Sequence, residues 1–329
     1  MYKILITSRN FGAVSKADFN YFIDRGYEIV RNPFEGKLPT EEELISIIGD
    51  IDAVHIGNDN FNANILAHAK KLKVVNKAGI GVDNIDIDCA SRLGIAVTNV
   101  PGTTANSVAD LTFGLMLAVS KKIIYTYNRI TQQGMWPVDR GNDIYGKTIG
   151  IIGLGRIGKN VALRAKGFGM NILSYEPYPD IAFVKENGIT ITDIDTLVSE
   201  ADFVTLHIPK TPESTNIIDS RRLGIMKPSA ILINAARGGL VNEEALYEAL
   251  STGKIAGAAF DVLTEEPPKS RPKLFDLDNF IITSHSGGNS IESIIQTSYV
   301  SAQNIIAILE GFDCPNFLNK DKIINKQSK

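Results

Sequence analysis

The sequence contains only two cysteines, Cys89 and Cys314, which are too few for a disulfide framework and suit a reducing compartment. No apolar run has the length needed to cross a membrane, and the first strand-like run begins too early to leave room for a signal peptide. Basic and acidic residues nearly balance, 34 against 37, and no basic stretch precedes the lysine-rich tail at 320–329. We therefore expect a cytoplasmic protein that binds neither nucleic acid nor a membrane.

Short apolar, β-branched runs alternate with helical patterns along most of the chain. In the first hundred residues the strand-like runs lie at 3–7, 27–31, 53–57, 73–77 and 96–99. Further runs lie at 148–152, 171–175, 202–208, 231–235, 256–262 and 280–284. Such alternation predicts parallel sheets with helices on both faces.

The length of the chain, 329 residues, is enough for two domains that each bury their own core. We predict an α/β protein with two doubly wound parallel-sheet domains. A flavodoxin-like substrate domain is expected at 1–100 and 286–329, and a Rossmann cofactor domain at 101–285. The first domain is discontinuous because we expect the closing helix, at 290–309, to return to it.

A predicted helix at 105–121 is apolar almost all round, from Ala105 to Val119. A helix without a polar face is expected to be buried, either between domains or between subunits. The sequence pattern leaves both possibilities open.

A glycine motif follows the strand-like run at 148–152. Gly153, Gly155 and Gly158 have the spacing G-x-G-x-x-G, and a helical pattern begins at Arg156. The first glycine permits a tight turn, the second lets a pyrophosphate approach the backbone, and the third lets helix and strand pack closely. The strand–turn–helix order is the context that a dinucleotide-binding motif requires.

Glu176 ends the next strand-like run and indicates which dinucleotide binds. A carboxylate at this position accepts hydrogen bonds from the ribose hydroxyls and repels a 2′-phosphate. The residues that follow, 177–180, include no arginine to hold such a phosphate. We therefore predict NAD as the cofactor, and we predict no metal site.

Polar residues follow three later strands of the cofactor domain. Arg237 lies in the loop after 231–235, acidic residues follow 256–262, and His285 follows 280–284. Consecutive carboxyl ends converge on the ligand crevice of a doubly wound sheet. An arginine, a carboxylate and a histidine together provide a carboxylate clamp and a proton carrier, although each alone is more often structural.

The chain has four histidines, and three of them look less suited to catalysis. His55 lies within an apolar strand and His68 on a helix between alanines, so both are expected to be structural. His207 ends a strand near the expected cofactor groove. His285 alone is followed by glycines and also lies where the two domains are expected to meet.

The loop at 78–84 follows the strand-like run at 73–77. It is either a tight turn or an anion-binding loop.

These motifs resemble those of the D-2-hydroxyacid dehydrogenase family, in its phosphoglycerate-dehydrogenase-like branch. The resemblance is closest from about 73 to 288 and rests on GLGRIG, NAARGGLV, TEEPP and HSGG. It implies that His285 is the acid/base, that Glu266 rather than Glu265 hydrogen-bonds it, and that Arg237 binds the substrate carboxylate. It also implies a homodimer formed through the apolar helix, with burial against the chain's own domains as the alternative.

The resemblance extends these roles to further residues. The expected cofactor-binding residues are Gly153, Gly155, Arg156, Ile157, Gly158, Glu176, His207, Pro209, Thr215, Ala235, Asp261 and Gly287. The expected substrate-binding residues are Lys77, Gly79, Ile80, Gly81, Asn106 and Arg237. Since the sequence ends at 329, we also expect it to lack the serine-sensing C-terminal domain of some relatives.

Two departures from the family pattern concern the substrate. Gly57-Asn58 stands where phosphoglycerate oxidisers usually carry an arginine, and Lys77 replaces another arginine. Arg140 is a possible substitute. We expect oxidation of 3-phosphoglycerate in serine biosynthesis, with hydroxypyruvate/glyoxylate or general 2-keto-acid reduction as the alternative. A non-catalytic NAD-sensing partner protein is the alternative of another class.

Overall fold

The computed structural model describes residues 1–34 and 37–327. The chain divides into two compact units, Met1–Thr104 with Asn289–Lys329, and Ala105–Gly288. Each junction falls a few residues after the predicted position, which was 100/101 for the first and 285/286 for the second. The end of the lysine-rich tail, 328–329, lies outside the described residues.

The first unit contains a five-stranded parallel sheet. Its strands are β1 (Lys3–Ile6), β2 (Glu28–Arg31), β3 (Ala53–Ile56), β4 (Val74–Lys77) and β5 (Ala96–Thr98). Their order in the sheet is β2-β1-β3-β4-β5, and every pairing is parallel. This is the flavodoxin-like order, whose topological switch point lies between β1 and β3.

Helices cover both faces of this sheet. They are α1 (Asn20–Ile23), α2 (Glu41–Ile48), α3 (Ala63–His68) and α4 (Ile87–Leu93), with α12 (Ile291–Glu310) and α13 (Lys320–Gln327) near the C-terminus. Val54 and Val75 belong to the core on one face, whereas Ala53 and Val74 belong to the core on the other. The long helix α12 packs against β4, β3 and β5. The single helix predicted near 16–24 is a 3-10 turn at Lys16–Phe19 followed by α1.

The second unit contains a seven-stranded parallel sheet. Its strands are β6 (Thr148–Ile152), β7 (Asn171–Tyr175), β8 (Thr190–Ile191), β9 (Phe203–Leu206), β10 (Ile231–Asn234), β11 (Gly257–Phe260) and β12 (Phe280–Ile282). Their order is β12-β11-β10-β9-β6-β7-β8. Counted from β6, this is the Rossmann order, with its switch point between β6 and β9. The predicted fold class, two doubly wound parallel sheets, is confirmed.

The helices of the second unit are α5 (Ala105–Ser120), α6 (Ile123–Gln133), α7 (Arg156–Gly167), α8 (Ile181–Glu186), α9 (Ile194–Glu200), α10 (Ser220–Ile225) and α11 (Glu243–Ser251). Helix α5 packs against α7, β10 and β11. Its residues Ala109, Phe113 and Met116 are buried in that core. The apolar helix is thus buried largely within its own unit, which fits the alternative of burial against the chain's own domains.

Four short elements, α8, β8, α10 and α13, are absent from the sequence-based assignment. Both residues of β8 are exposed, and α8 contains no buried residue, so neither has an apolar pattern that identifies it. Among the described residues, no helix combines the length and the apolar composition needed to span a bilayer.

Candidate active site

The predicted catalytic residues follow neighbouring strands of the second unit. Arg237 lies just beyond β10, Glu266 follows β11, and His285 follows β12. These three strands are adjacent and parallel, about 4.8 Å apart, so their carboxyl ends lie along one edge of the sheet. The strand order thus brings residues that are far apart in sequence to one edge.

His285 and Glu266 form a close side-chain pair. The His285 Nδ1 lies 2.6 Å from Glu266 Oε2, and Glu266 Oε1 accepts a hydrogen bond of 2.8 Å from the N–H of Leu263. Burial alone would raise the pKa of Glu266, but the hydrogen bond from His285 and the positive charge of Arg237 hold that pKa below its usual range. Glu266 is therefore an ionised acceptor, and Nδ1 of His285 carries the shared hydrogen.

The neighbouring Glu265 has a different partner. Its carboxylate lies 2.6 Å from the ammonium of Lys269, and it is exposed. The structure therefore distinguishes the two adjacent acids as the family resemblance does.

The loop that carries His285 is fixed by Asp261, which is 2% exposed. One Asp261 carboxylate oxygen accepts hydrogen bonds from Thr283 Oγ1 and the Ser286 N–H, and the other accepts from the Gly287 N–H. The His285 N–H donates to the Asp261 carbonyl over 2.7 Å. His285 has a φ of 54°, in the left-handed region that non-glycine residues rarely adopt. These bonds hold the histidine in that strained conformation.

Arg237 lies in a loop that packs tightly against the turn before Glu266. A Cβ atom on Gly238 would stand 1.8 Å from the Leu263 carbonyl oxygen, so only glycine fits there. The Asn234 side chain donates to the Arg237 carbonyl and accepts from the Ala236 N–H, closing the loop. The arginine and the glutamate thus lie on two segments that touch through their backbones.

The glycine motif has the geometry of a pyrophosphate cradle. A Cβ on Gly158 would stand 2.0 Å from the Gly153 carbonyl oxygen, and Gly153 itself has a φ of 98°. A Cβ on Gly155 would meet nothing within 4 Å, so that glycine leaves space that the protein does not fill. Gly155 is also the N-cap of α7 and offers no capping side chain. The first turn of the helix, with Arg156 and Ile157, can therefore direct its N–H groups at an anion.

The other predicted cofactor residues lie near the same edge of the sheet. Glu176 follows β7, and its Oε2 accepts a hydrogen bond of 2.9 Å from the Leu154 N–H inside the glycine loop. His207 follows β9, its Nε2 lies 2.9 Å from Thr205 Oγ1, and burial lowers its pKa. Its Nδ1 is buried and has no partner among the described residues. Pro209 and Thr215 flank a turn after His207, and Ala235 is buried at the end of β10.

The predicted substrate residues are divided between the two units. Asn106 is an exposed residue in the first turn of α5, in the second unit. Lys77 ends β4 in the first unit and is buried. In the loop that follows, Gly79 has a φ of 140°, and its carbonyl accepts from the Val100 N–H. Within residues 1–34 and 37–327, no hydrogen bond is made by the N–H of Ile80 or Gly81. Both N–H groups are therefore available to an anion, which favours an anion-binding loop over a simple tight turn.

Sequence reasoning missed the residues that position the site rather than react in it: Asn234, Gly238 and Thr283. An asparagine at a strand end, before a run of small residues, is typical of side-chain capping and was a usable signal. The contacts of Gly238 and Thr283 depend on segments more than twenty residues away in sequence, so no local pattern indicates them. In the described part of the chain, no three His, Cys, Asp or Glu side chains gather as metal ligands.

Comparison with known proteins identifies the family. Residues 113–287 match the family model described as D-isomer specific 2-hydroxyacid dehydrogenase, NAD binding domain. The chain belongs to the D-isomer-specific 2-hydroxyacid dehydrogenase family. The family inferred from the motifs is confirmed, and the matched model describes an NAD-binding domain, in agreement with NAD as the cofactor. The glycine cradle, the uncapped start of α7 and the carboxylate of Glu176 fit this cofactor.

Individual relatives of this chain divide into two kinds. The chain is 44% identical over 288 residues to the D-3-phosphoglycerate dehydrogenase of Methanocaldococcus jannaschii, covering 86% of this chain and 55% of that protein. It is 39% identical over 311 residues to the glyoxylate reductase of Thermococcus litoralis, covering 91% and 92% of the two chains. The chain thus spans about half the length of the phosphoglycerate dehydrogenase but nearly all of the glyoxylate reductase.

A solved structure of similar fold is the D-lactate dehydrogenase of Aquifex aeolicus in complex with NAD and lactic acid. The two share 26% sequence identity with a TM-score of 0.81, and the match covers 98% of each chain.

Proposed function

We propose that the protein interconverts a D-2-hydroxy acid and its 2-keto acid with NAD. The observation that carries this proposal is the 2.6 Å contact between His285 Nδ1 and Glu266, on the same sheet edge as Arg237. NAD, when bound, supplies the hydride acceptor for oxidation and, in its reduced form, the hydride donor for reduction. The chain's own residues bind and orient the acid and move its proton.

His285 moves the proton through its Nε2. Because Nδ1 is engaged by Glu266, the other ring nitrogen is the one available to the substrate hydroxyl. In oxidation Nε2 takes the hydroxyl proton, and in reduction it returns a proton to the keto oxygen. The Glu266 carboxylate stabilises the imidazolium form that carries this proton.

Arg237 recognises the acid and helps the reaction. Its guanidinium can bind the substrate carboxylate through two parallel hydrogen bonds, which fix the orientation of C2. The same positive charge stabilises oxyanion character at the C2 oxygen. The substrate-facing roles of Asn106, Lys77 and the 79–81 loop complete this proposal, with the free N–H groups of Ile80 and Gly81 as its support.

The substrate that we propose is 3-phosphoglycerate, oxidised for serine biosynthesis. The support is the similarity to phosphoglycerate dehydrogenases over 86% of the chain. Glyoxylate or hydroxypyruvate reduction is the second candidate, because the Asp59 carboxylate accepts the Gly57 N–H over 2.8 Å at the end of β3. A negative charge at that strand end disfavours a phosphate there.

The test is a substrate panel with the purified protein. NAD reduction with 3-phosphoglycerate is compared with NADH oxidation by 3-phosphohydroxypyruvate, hydroxypyruvate, glyoxylate and other unphosphorylated keto acids. A kcat/KM preference for the phosphorylated pair above about 100-fold, or about 2.7 kcal/mol, supports 3-phosphoglycerate as the substrate. Equal or better turnover of the unphosphorylated acids supports the second candidate. NADH binding without any turnover would instead support an NAD-sensing partner protein.

We further propose that the protein is a cytoplasmic homodimer. Both cysteines are free and buried, as suits a reducing compartment. Large apolar side chains are exposed on α6 and in the segment after it: Ile123 (51%), Tyr127 (61%), Trp136 (84%) and Val138 (94%). Large apolar side chains exposed in one segment of the chain indicate a protein interface. Sedimentation of the wild type and of Trp136→Ser tests this, and a monomeric wild type would refute it.

A further inference from the structure

Arg164, in the last turn of α7, connects this helix to the first turn of α5. Its Nε donates to the Asp110 carboxylate over 2.6 Å, and one terminal nitrogen donates to the Asn160 carbonyl over 3.0 Å. The other terminal nitrogen donates to both the carbonyl and the side-chain oxygen of Asn106, each over 3.4 Å. One guanidinium thus contacts the main chain and the side chain of Asn106 together.

The Asn106 amide has a defined orientation as a result. A guanidinium carries only donors, so the amide atom that faces it is the oxygen. The amide NH2 group is then directed away from Arg164. Asn106 is exposed, and its Nδ2 has no hydrogen-bond partner among residues 1–34 and 37–327. The first turn of α5 therefore presents two N–H donors that no described residue uses.

This turn of α5 lies beside the loop that carries His285. A Cβ on Gly287, two residues after the histidine, would stand 3.3 Å from Val108 and 3.5 Å from Leu111, both in α5. Gly287 is buried, and Val108 follows Asn106 by two residues. The donors of Asn106 therefore belong to the same region of the second unit as the proposed acid/base.

We propose that Arg164 is a positioning residue for substrate binding, because it orients the Asn106 amide so that the NH2 group donates to an oxygen of the 2-hydroxy acid. This inference rests on the proposed function, in which Asn106 faces the substrate. The oxygen concerned is one that does not react, because His285 and Arg237 engage the C2 oxygen. Helix α7 begins at the glycine cradle, so Arg164 also connects the substrate residue to the element that holds the cofactor.

A positioning role and a purely structural role predict different kinetics. A donor to an oxygen that does not react stabilises the bound acid and the transition state equally. Its loss therefore raises KM for the acid and leaves kcat unchanged. Loss of structure instead removes active molecules, which lowers the apparent kcat without changing KM.

The experiment measures steady-state kinetics of Arg164→Met, Asn106→Ala and the double variant with the preferred acid of the substrate panel. We expect KM for the acid to rise at least about fivefold in Arg164→Met and about 10-fold in Asn106→Ala. The double variant should equal Asn106→Ala, because residues that act through one contact are not additive. The matched control is Arg222→Met, which should keep the wild-type KM. Arg222 has a side chain 22% exposed, against 26% for Arg164, and likewise connects two helices, through Asp195.

Arg164→Lys separates the ion pair from the orientation of the amide. A lysine keeps the positive charge near Asp110, but its single ammonium lacks the planar fork that also reaches Asn106. We expect a thermal stability close to that of the wild type, with KM raised as in Arg164→Met. An unchanged KM in Arg164→Met, a wild-type KM in Arg164→Lys, or an additive loss in the double variant would overturn the inference.

The failure of the proposed function is distinguishable from the failure of this inference. If the wild type turns over none of the acids, calorimetry measures the binding of 3-phosphoglycerate and of glycolate to the protein with NADH bound, where neither acid can be oxidised. Weaker binding in both Arg164→Met and Asn106→Ala would keep the inference and refute the turnover. Any other pattern, including no binding by the wild type, would overturn the inference.

Discussion

Replacing Glu266 by glutamine tests the proposed proton transfer most directly. The glutamate accepts two hydrogen bonds, from His285 Nδ1 over 2.6 Å and from the Leu263 N–H over 2.8 Å. Glutamine has nearly the same shape but only one oxygen, and its amide group donates. Because both partners are donors, one of the two contacts becomes a repulsion between donors.

The size of the effect follows from the distance and the exposure of the pair. Two unit charges about 4 Å apart interact by about 4 kcal/mol at an effective dielectric constant near 20. The side chains of His285 and Glu266 are 37% and 32% exposed, so solvent screens much of this. After that discount, about 1–2 kcal/mol remains, and the lost hydrogen bond adds about 1 kcal/mol. We expect kcat to fall about 10- to 100-fold.

The pH profile separates this charge effect from a general loss of structure. The pKa of Glu266 is lowered, so its negative charge is present at neutral pH and is lost only as pH falls through that lowered value. Loss of that charge removes the partner of His285, so the wild-type rate should decline as pH falls through the Glu266 pKa. Glutamine does not titrate, so in Glu266→Gln this acidic decline should be absent.

The matched control for this variant is Glu265→Gln. It makes the same change of charge one residue away, at an exposed glutamate paired with Lys269. Its kcat and pH profile should equal those of the wild type. The reasoning is refuted if Glu266→Gln keeps the wild-type decline at acidic pH, or if both variants lose it alike.

Three further predictions concern the cofactor cradle, the histidine loop and a buried base. In Gly158→Ala the new Cβ would stand 2.0 Å from the Gly153 carbonyl oxygen, so we expect weaker NADH binding by fluorescence titration and a loss of about 1–3 kcal/mol in stability. In Asp261→Asn, an amide donor faces the N–H groups that now donate hydrogen bonds to the Asp261 carboxylate, so the loop that carries His285 should move. We expect kcat, measured in a steady-state assay, to fall about 100-fold. His55 is 1% exposed, and burial lowers its pKa from 6.5 to about 4. Between pH 6.5 and pH 4, His55 therefore binds a proton in the unfolded chain but not in the folded protein. Stability should therefore fall by about 3 kcal/mol as pH drops from 6.5 to 4, and His55→Gln should reduce that loss in urea unfolding.

Each of these three variants has a control in the same unit. Gly167→Ala is also in α7, but its Cβ would meet nothing within 4 Å, so it should leave NADH binding intact. Asp278→Asn removes an exposed carboxylate, and His68→Gln removes an exposed histidine. A control that reproduces its partner's effect would contradict the structural reason given for that partner.

The topology of both units was predictable because it depends on local patterns. Runs such as 53–57 and 73–77 alternate with helical patterns, and this alternation is sufficient to indicate parallel sheets. The glycine spacing at 153–158 likewise reports a local turn. The contact between Glu266 and His285 joins two strand-end loops, and its distance depends on how β11 and β12 pair. Neither the contact nor the choice of Glu266 over Glu265 followed from the residue pattern alone.

Helix α5 shows the limit of a periodic pattern more clearly. An apolar helix must be covered, but its sequence does not say which surface covers it. Here α7 covers one side, while β10 and β11 cover another, so the helix belongs mainly to the core of its own unit. The exposed apolar residues lie instead on α6 and beyond, where tyrosine and polar residues make the pattern weaker. The surface that we propose for a second copy is therefore not the one that the family resemblance implied.

The roles proposed for Arg237 and His285 explain why family membership leaves the substrate open. In the proposed mechanism, Arg237 binds the carboxylate and the C2 oxygen, and His285 handles the C2 hydroxyl. These groups are common to every 2-hydroxy acid, so the residues that bind them cannot distinguish one acid from another. Selectivity must come from residues that contact the tail. At the end of β3, the Asp59 carboxylate disfavours a phosphate. The substrate panel, rather than a comparison of the catalytic residues, therefore decides between the two proposed substrate classes.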